Sequence, residues 1–574
     1  MSKKIIGIGA SEGLALAKAL VLAETELKIT KEKITDEKTE LAKVDQAVTD
    51  SLLELEKLRL TTQQKLGDEK AAIFEAHKDI ANDPEMQNEI KDLIKTEKVN
   101  AAYAIHKVTN NYYEMFSQMD DPYFKERSAD IKDIANRLIK HVLGLPIIDL
   151  STINEEVIIV ADDLTPSQTA QLDKNFVKGF ATNIGGRTSH AAIMARSLEI
   201  PAVLGLKVVT EKVKNHALIA LDGDQGFVEV DLSENEINTF KEAMEASKVT
   251  KAELNKFKNR PTETADGTKK LIEGNIGSPN DAEAVIERGG DGVGLFRTEF
   301  LYMDNDHFPT EEEQFVAYKK VAQTMEGKVV VIRTLDIGGD KKLSYYEFPH
   351  EMNPFLGYRA IRFTLAEKGI FRDQIRALLR ASAFGKIAIM FPMIATVDEF
   401  KAAKEFVELC KKELDNEKIA YDKKIEIGMM IEIPAAAVLA DKFAEHADFF
   451  SIGTNDLVQY SMAADRMSQN VAYLYQPTNP SILRLIKMTI DGGHKHNRWV
   501  GMCGEMAGEP QAIPLLLGLG LDAFSMSASS ILKARSLMSK INLAQAEKLA
   551  NQALECETEA EVLKLVDNFI AKLK

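Results

Sequence analysis

The chain has 574 residues, of which 45% are hydrophobic and 28% charged, and its formal net charge is −16. This length predicts about three or four domains, and the acidic charge argues against a nucleic-acid partner while fitting a basic protein partner. No apolar run reaches the ~18 residues that a membrane-spanning helix needs. Cys410, Cys503 and Cys556 are widely spaced, which excludes a disulfide framework or structural zinc and indicates a reduced cytoplasm.

The N-terminal third changes pattern twice. Residues 3–22 predict a strand or two, after which apolar residues recur at helical spacing: Leu41, Val44, Val48, Leu52 and Leu55. Helical patterning continues to about Leu143 and predicts long antiparallel helices. Because strands resume at Val157, we interpret the helices as an insertion into an α/β unit.

That α/β unit carries the stretch Gly185-Gly186-Arg187-Thr188-Ser189-His190. The glycines permit a tight turn, and Thr188 or Ser189 can cap a short helix whose first turn contains His190. A helix start favours anions and disfavours imidazolium, so it suits a neutral histidine that accepts and carries a phosphoryl group. The alternative is a histidine that only helps to cap the helix.

A charged helix follows and leads into a repeating unit. Ser233 and Glu236 form a capping-box pattern at the start of a linker helix that runs to Pro261. Short apolar strands then recur near residues 271–276, 292–296, 329–333, 388–391, 427–431, 449–452, 499–503 and 523–526. Eight strand–helix units predict a (β/α)8 barrel, although periodicity alone leaves a doubly wound sheet open.

Unusual polar residues follow these strands, which favours the barrel because its strand ends converge on one mouth. They are Arg297, Arg333, Arg359, Glu432, Asn455, Asp456, Arg466 and Cys503. Arginine forks bind carboxylates and phosphates, and Glu432 and Asp456 are hard oxygen ligands of the kind that Mg2+ takes. A single such arginine would be a rim ion pair; together they predict a small, highly anionic substrate.

The stretch GGRTSHAAIMARSLEIPAV resembles the phosphohistidine signature of the Enzyme I family, the phosphoenolpyruvate–protein phosphotransferases of bacterial sugar uptake. Further blocks resemble the same family: GVGLFRTEFL, VIRTLDIGGDK, NPFLGYRAIR, MIEIPAA, FFSIGTNDLVQY and GMCGEMAG. Phosphoenolpyruvate synthase and pyruvate phosphate dikinase carry a looser form of the signature. They need a nucleotide-binding domain, for which this chain has no spare length and no Walker loop.

The resemblance implies a role for each candidate residue. His190 is the phosphohistidine, Cys503 is the acid that protonates the enolate of pyruvate, and Glu432 and Asp456 bind Mg2+. The implied substrate-binding residues are Arg297, Arg333, Arg359, Asn455, Asp456 and Arg466. Cys503 is expected to titrate near the neutral range. Thr169 is a candidate to orient the imidazole, with a surface threonine as the alternative.

The resemblance also implies partners and domains. The inserted helices are expected to bind the phosphocarrier protein HPr, and the barrel to form a homodimer. The predicted domains are the phosphohistidine domain (1–30 and 145–232), the helical insertion (31–144), the linker (233–260) and the phosphoenolpyruvate-binding barrel (261–574). Two rival functions stay open: a dikinase-like enzyme that uses ATP, and a regulatory module that senses phosphoenolpyruvate without turnover.

Overall fold

The computed structural model divides the chain into two compact units, Met1–Lys251 and Ala252–Lys574. The structure describes residues 3–22, 29–66, 68–118, 122–145, 147, 150, 153–169, 171–186, 190–198, 200–303, 305–339, 341, 343, 345–466 and 468–573. Every helix in these ranges is too short or too polar to cross a lipid bilayer.

Three strands open the first unit: β1 (Lys3–Ile6), β2 (Ile8–Ser11) and β3 (Leu14–Val21). The sequence predicted one or two strands here, and the third arises because the chain turns sharply at Gly13, whose φ is +122°. Five helices follow: α1 (Glu37–Leu66), α2 (Asp68–Ala81), α3 (Pro84–Glu97), α4 (Ala101–Gln118) and α5 (Pro122–Leu143).

The five helices enclose a hydrophobic core of their own. Its buried members include Leu55, Val44 and Val48 from the predicted apolar spacing, together with Phe74 and Ile94 from later helices. This core contains no residue of the sheet, so the helices form a separate layer of the first unit, consistent with an insertion.

The rest of the first unit alternates strands and short helices: β4 (Val157–Ala161), α6 (Pro166–Thr169), β5 (Val177–Thr182), α7 (His190–Leu198), β6 (Ala202–Leu204), α8 (Val209–Lys212), β7 (Leu218–Asp222) and β8 (Phe227–Val230). The sheet order is β1-β8-β7-β3-β4-β5-β6-β2. Strands β3 to β6 run parallel, so β5 points its carboxyl end toward the segment that leads to His190.

The linker helix α9 spans Glu234–Asn255. The predicted capping box is present: Ser233 N donates to Glu236 Oε2 over 2.8 Å, and Glu236 N donates to Ser233 Oγ over 3.4 Å. The helix ends at Asn255 rather than at Pro261, because residues 256–259 form turns instead.

The second unit contains eight parallel strands: β9 (Leu271–Ile276), β10 (Val293–Phe296), β11 (Val330–Arg333), β12 (Ile387–Phe391), β13 (Glu426–Ile431), β14 (Phe449–Ile452), β15 (Trp499–Met502) and β16 (Ala523–Met526). Strand β16 pairs with β9, which closes the barrel. The predicted (β/α)8 fold is therefore confirmed, and the doubly wound alternative, which leaves its edges open, is excluded.

Helices surround the barrel in chain order: α10 (Asp281–Glu287), α11 (Phe300–Met303), α12 (Glu311–Thr324), α13 (Ile361–Ala366), α14 (Lys368–Ala381), α15 (Val397–Glu417), α16 (Pro434–Val438), α17 (Ala440–Phe443), α18 (Thr454–Met462), α19 (Pro480–His494), α20 (Ile513–Leu519), α21 (Ile531–Met538), α22 (Leu543–Leu554) and α23 (Glu559–Ile570). One large core lies between strands and helices, and a smaller one that includes Leu295, Met430 and Phe449 fills the barrel interior.

Candidate functional site

The candidate site lies at the carboxyl ends of the barrel strands. Arg333 ends β11, and Arg297, Glu432 and Cys503 follow directly after β10, β13 and β15. One cavity of about 550 Å³ is lined by these four residues together with Leu295, Asp336, Lys341, Arg359, Met430, Gly453, Asn455, Asp456, Arg466, Tyr475, Gly504 and Glu505. The structure thus brings every predicted site residue of the barrel to one mouth, as the strand order requires.

Two of the arginines are buried and held by carboxylates. Arg333 Nη1 lies 3.0 Å from Asp336 Oδ2, Arg333 Nη2 pairs with Glu299, and Arg359 Nη2 lies 2.8 Å from Asp336 Oδ1. Burial raises the pKa of Asp336, but the three cations around it, led by Arg333, outweigh burial and hold that pKa well below its ordinary value. Both guanidinium groups are therefore fixed before any substrate arrives.

These two arginines keep donors for a ligand. The buried Nε atoms of Arg333 and Arg359 have no hydrogen-bond partner among the described residues. An unmatched donor of this kind is costly in a folded protein unless something else accepts from it. An anionic ligand in the cavity would supply those acceptors.

The remaining arginines and the amide lie closer to solvent. Arg297 is exposed and Arg466 is half-buried, with its Nη1 3.7 Å from Asp456 Oδ1. Asn455 Oδ1 accepts a 2.9 Å hydrogen bond from the Tyr475 hydroxyl, so the amide NH2 group remains able to donate to another acceptor. Exposed and half-buried cations can adjust to a ligand, whereas the buried pair cannot.

Sequence reasoning missed Lys341 as a member of the site. Its Nζ lies 3.1 Å from Glu299 Oε1 and 3.6 Å from Asp336 Oδ2, and it adds a fifth cation to the cavity lining. Lys341 ends the block VIRTLDIGGDK, which begins within β11, and a lysine directly after Gly338-Gly339-Asp340 is the signal that could have found it.

The two candidate metal carboxylates are both buried. Glu432 Oε1 accepts a 2.6 Å hydrogen bond from the backbone N–H of Met393. Burial raises the pKa of Glu432 to about 8, and the negative charges of Asp456 and Asp336 act in the same direction. Arg333 and Arg359 act in the opposite direction but do not outweigh burial and the two neighbouring carboxylates.

The geometry leaves space and lone pairs for a cation here. Asp456 Oδ1 is buried and accepts no hydrogen bond from the described residues. A side chain at Gly453 would place its Cβ 3.1 Å from Glu432 Oε2, so glycine keeps that oxygen clear. Among the described residues no group of three or more His, Cys, Asp or Glu side chains could hold a metal. Two buried carboxylates, one of them with an oxygen that accepts no hydrogen bond from the described residues, are hard oxygen ligands of the kind that suits a divalent cation with further ligands from water or substrate.

Cys503 is buried at the same mouth, and the pKa of its thiol differs from the value expected from sequence. Burial raises its pKa to about 11, although a hydrogen bond from Ser451 and the charge of Arg333 act to lower it. The expectation of a thiol titrating near neutrality is wrong, because the strand end excludes water from the sulfur. A protonated thiol at neutral pH can still donate its proton.

In the first unit, the predicted phosphohistidine begins a helix. His190 is the first residue of α7, while residues 187–189, including both candidate caps, lie outside the described part of the chain. Gly185 has φ of +115°, so the first glycine of the pair makes the turn that other residues would resist. Thr169 is buried at the end of α6, and its role toward His190 stays a prediction.

Asn183 is a further residue that the sequence did not reveal. Its Nδ2 donates to Asp162 Oδ1 over 2.9 Å and to Thr210 Oγ1 over 2.7 Å, and its Oδ1 accepts from Val209 N over 2.6 Å. These bonds tie the exit of β5 to β4 and α8, two residues before Gly185. Asn183 therefore fixes the start of the loop that leads to His190.

Family models match three ranges of this chain, and known relatives match it along nearly its whole length. Family models of PEP-utilising enzymes match residues 6–127 (N-terminal), 153–226 (mobile domain) and 251–543 (PEP-binding domain). The phosphoenolpyruvate-protein phosphotransferase of Mycoplasma capricolum subsp. capricolum is 66% identical over 573 residues, covering 100% of both chains. That of Staphylococcus aureus strain Mu50 is 55% identical over 571 residues, covering 99% of this chain and 100% of the relative.

One solved structure is similar to part of the chain. The NMR solution structure of an Enzyme I protein is 42% identical and covers 42% of this chain and 99% of its own, with a TM-score of 0.40.

Proposed function

The chain belongs to the PEP-utilising enzymes, among the phosphoenolpyruvate–protein phosphotransferases, which are transferases with a nitrogenous acceptor, and we propose that His190 is its phosphoryl carrier. In this proposal the phosphoryl group of phosphoenolpyruvate moves to His190 and then to a histidine of the phosphocarrier protein HPr. Pyruvate is released, and the transfer is the first step of phosphotransferase-system sugar uptake.

The observation that carries the proposal is the cation-rich cavity at the barrel mouth. Phosphoenolpyruvate carries a carboxylate and a phosphate, and arginine forks bind both groups in bidentate fashion. The buried Arg333 and Arg359, with their free Nε donors, fit a fixed anionic group. The outer Arg297 and Arg466 and the amide of Asn455 fit the group that moves.

The phosphoryl step needs charge neutralisation more than covalent chemistry from the barrel. A neutral imidazole nitrogen of His190 attacks phosphorus, the bond from phosphorus to the enol oxygen breaks, and the leaving oxygen keeps the electron pair. Glu432 and Asp456 would hold Mg2+, which neutralises phosphate charge when bound. The arginines stabilise the charge that develops on the leaving enolate.

The enolate must then gain a proton at carbon. Cys503 donates its Sγ proton to C3, the carbon–carbon double bond supplies the electron pair of the new C–H bond, and solvent reprotonates the thiolate. The high pKa of Cys503, about 11, keeps the thiol protonated at neutral pH and supports this direction of transfer.

The proposal extends to partners and setting through the family resemblance. The helical insertion, with its own core in α1 to α5, is proposed to dock HPr, and the barrel is proposed to form the homodimer. Three free cysteines and phosphoenolpyruvate as substrate support a cytoplasmic reaction. The relatives that this chain matches over their full length are named phosphotransferases. They give no support to the ATP-using enzyme or to the sensor.

Mass spectrometry of the protein after incubation with phosphoenolpyruvate and Mg2+ tests the proposal. One phosphate should appear on the peptide that contains His190, and omission of Mg2+ should suppress the labelling. His190→Ala should remove the phosphate and leave the fold intact. Phosphate on another histidine of that variant would overturn the assignment.

A further inference from the structure

Two side chains on the two strands that follow β15 around the barrel, Ser525 on β16 and Asn275 on β9, link to the backbone of Cys503. Asn275 lies on β9, and its Nδ2 donates a 3.0 Å hydrogen bond to the carbonyl oxygen of Cys503. Ser525, on the neighbouring strand β16, donates from its Oγ to Asn275 Oδ1 over 2.6 Å. Because the Cys503 carbonyl can only accept, Asn275 Nδ2 faces it, and the Ser525 hydroxyl holds the amide in that orientation by donating to Oδ1.

The Cys503 peptide is held on both sides as a result. Its N–H donates to Ile452 O over 3.1 Å, which extends the β14–β15 ladder by one residue beyond Met502. Its carbonyl has left the ladder and depends on Asn275 instead. Without that bond, nothing in the ladder pattern fixes the peptide that follows the thiol.

The next residue has no freedom to compensate. A side chain at Gly504 would put its Cβ 1.8 Å from Thr454 Oγ1, so the backbone here lies directly against the start of α18. That helix carries Asn455 and Asp456. A shift of the Cys503 peptide would therefore move the sulfur and press on the loop that holds the candidate metal ligand.

We propose that Asn275 and Ser525 are positioning residues, which hold the Cys503 thiol where it protonates one face of the enolate. The proposal rests on the proposed role of Cys503 as the acid. Neither side chain lines the cavity, so both act through Cys503 rather than on substrate. Misplacing a reacting group by about 1 Å can cost up to about a hundredfold in rate.

The first test measures the position of the thiol without using the reaction. The full-length protein is treated with iodoacetamide, and alkylation of each cysteine peptide is followed by mass spectrometry. Cys410, which is fully buried on α15, reports global loosening, and the partly exposed Cys556 reports reagent activity. Asn275→Ala and Asn275→Asp should raise alkylation of Cys503 by about tenfold relative to Cys410.

Ser525→Ala is the milder variant, and Ser529→Ala is its matched control. Ser525→Ala removes only the hydroxyl that orients the amide and should raise Cys503 alkylation less than Asn275→Ala does. Ser529 is exposed and bonds only to Ser527 among the described residues, over 3.2 Å, so its loss should change nothing. Equal rises at Cys503 and Cys410, or no rise at either, would overturn the proposal.

The second test reads the face of protonation. Phosphoenolpyruvate with one deuterium at C3 in the Z position is converted in tritiated water, and the handedness of the pyruvate methyl group is determined. Wild type and Ser529→Ala should give one handedness, whereas Asn275→Ala should give a mixed product, with kcat lowered at least tenfold and KM nearly unchanged. Full handedness and normal kcat in Asn275→Ala would refute the positioning role.

Cys503→Ala separates the two proposals. A mixed methyl product from Cys503→Ala supports Cys503 as the acid, and the Asn275 results then decide the positioning role. A single handedness from Cys503→Ala would refute Cys503 as the acid and with it the stereochemical part of this inference, while the alkylation ratios would still show whether Asn275 holds the loop.

Discussion

Cys503 combines full burial with a pKa of about 11, and this combination suits an acid that acts once in each turnover. A group with so high a pKa is protonated throughout the neutral range, so acidity in the ground state does not limit the reaction. Proximity to the enolate carbon must then supply the rate. The position of the Cys503 thiol therefore matters more for the rate of protonation than its pKa does.

Cys503→Ala should lower the rate of pyruvate formation by at least about a hundredfold, the usual contribution of a positioned acid. Phosphoryl exchange between His190 and HPr should stay at the wild-type rate, because no enolate takes part in that step. Both rates can be measured on one preparation, by coupled pyruvate assay and by exchange of labelled phosphate. Cys410→Ala serves as the control, and normal pyruvate formation by Cys503→Ala would make the thiol a packing residue.

Glu273 is a buried carboxyl that the proposed mechanism does not use. It lies on β9, where a Cβ at Gly294 would come within 2.4 Å of its Oε2. Burial raises the pKa of Glu273 to about 7, and the negative charge of Asp291 adds to the shift. The folded chain thus keeps a proton on Glu273 that the unfolded chain loses above its ordinary pKa of 4.5.

Stability carried by this proton is present at low pH and is lost as pH rises through 7. Glu273→Gln cannot lose a proton, so between pH 5 and pH 8 the wild type should lose about 2.5 kcal/mol of unfolding free energy relative to it, since one pKa unit is worth about 1.4 kcal/mol. Trp499 is the single tryptophan and lies in the barrel, so its fluorescence reports barrel unfolding by urea.

The exposed Glu283 on α10 provides the control for this pH dependence. Glu283→Gln should follow the wild-type pH profile, because no burial penalty is removed. Parallel profiles for Glu273→Gln and wild type would contradict the pKa assigned to Glu273.

At the scale of elements, α13 begins at a strained residue. Ala360 precedes the helix with φ of +52° and ψ of −127°, a conformation that suits glycine, and it is fully buried. Its N–H donates to Ile337 O over 3.0 Å, which holds the strained peptide in place. The preceding residue is Arg359, so the strain sits beside a guanidinium of the site.

Ala360→Gly should raise the free energy of unfolding by about 1 kcal/mol, because relief of about 1–3 kcal/mol of strain exceeds the entropy cost of glycine. The KM for phosphoenolpyruvate should rise severalfold, since a looser backbone holds Arg359 less firmly. Ala366→Gly, at the exposed end of the same helix, should instead destabilise the barrel by about 0.5–1 kcal/mol and leave KM unchanged. Trp499 fluorescence and steady-state kinetics measure both effects.

The elements themselves could largely be predicted from sequence. All eight barrel strands fall within about two residues of their apolar runs, because buried parallel strands are short, continuous and bounded by turn residues. The convergence of the polar residues at the strand ends could also be predicted, since the barrel topology brings all of these strand ends to one mouth. The missed elements were marginal: the extra N-terminal strand depends on one glycine turn at Gly13.

The supporting residues could not be predicted, because their partners are distant in sequence. Asn275 bonds to a carbonyl 228 residues away, and no local pattern marks it. Glu273 is one of two polar residues in an otherwise apolar strand, and only the closed barrel makes it a buried acid. The strain at Ala360 has no signature in the residue type, since alanine normally avoids that conformation.

For the whole molecule, the division of labour follows the two compact units. His190 and the helical insertion belong to Met1–Lys251, while the arginines, Glu432, Asp456 and Cys503 belong to Ala252–Lys574. A fragment boundary between them should not be placed at residue 258, although the linker was predicted to extend to residue 260. Arg535 donates to Phe257 O over 3.1 Å and to Lys258 O over 3.2 Å, so these residues are part of the barrel unit.

A fragment of residues 1–251 should fold alone and exchange phosphoryl groups with phosphorylated HPr, because it keeps His190 and all three of its own cores. It should not be phosphorylated by phosphoenolpyruvate, since the cations that would hold this anion all lie in residues 252–574. The barrel fragment should bind phosphoenolpyruvate in the presence of Mg2+, measured by calorimetry, and retain no phosphate.

Mixing the two fragments should restore little activity, because one chain gives each unit an effective concentration of roughly millimolar order that free fragments lack. The test is therefore a titration: activity of the mixture should rise almost linearly with barrel concentration through the micromolar range, without the plateau that stable reassociation would give. A matched pair cut after residue 258 should yield a barrel that unfolds at lower urea, because Arg535 has then lost two of its acceptors. Phosphorylation of the 1–251 fragment by phosphoenolpyruvate alone would contradict this division, since the anion would have to be bound and cleaved without the barrel.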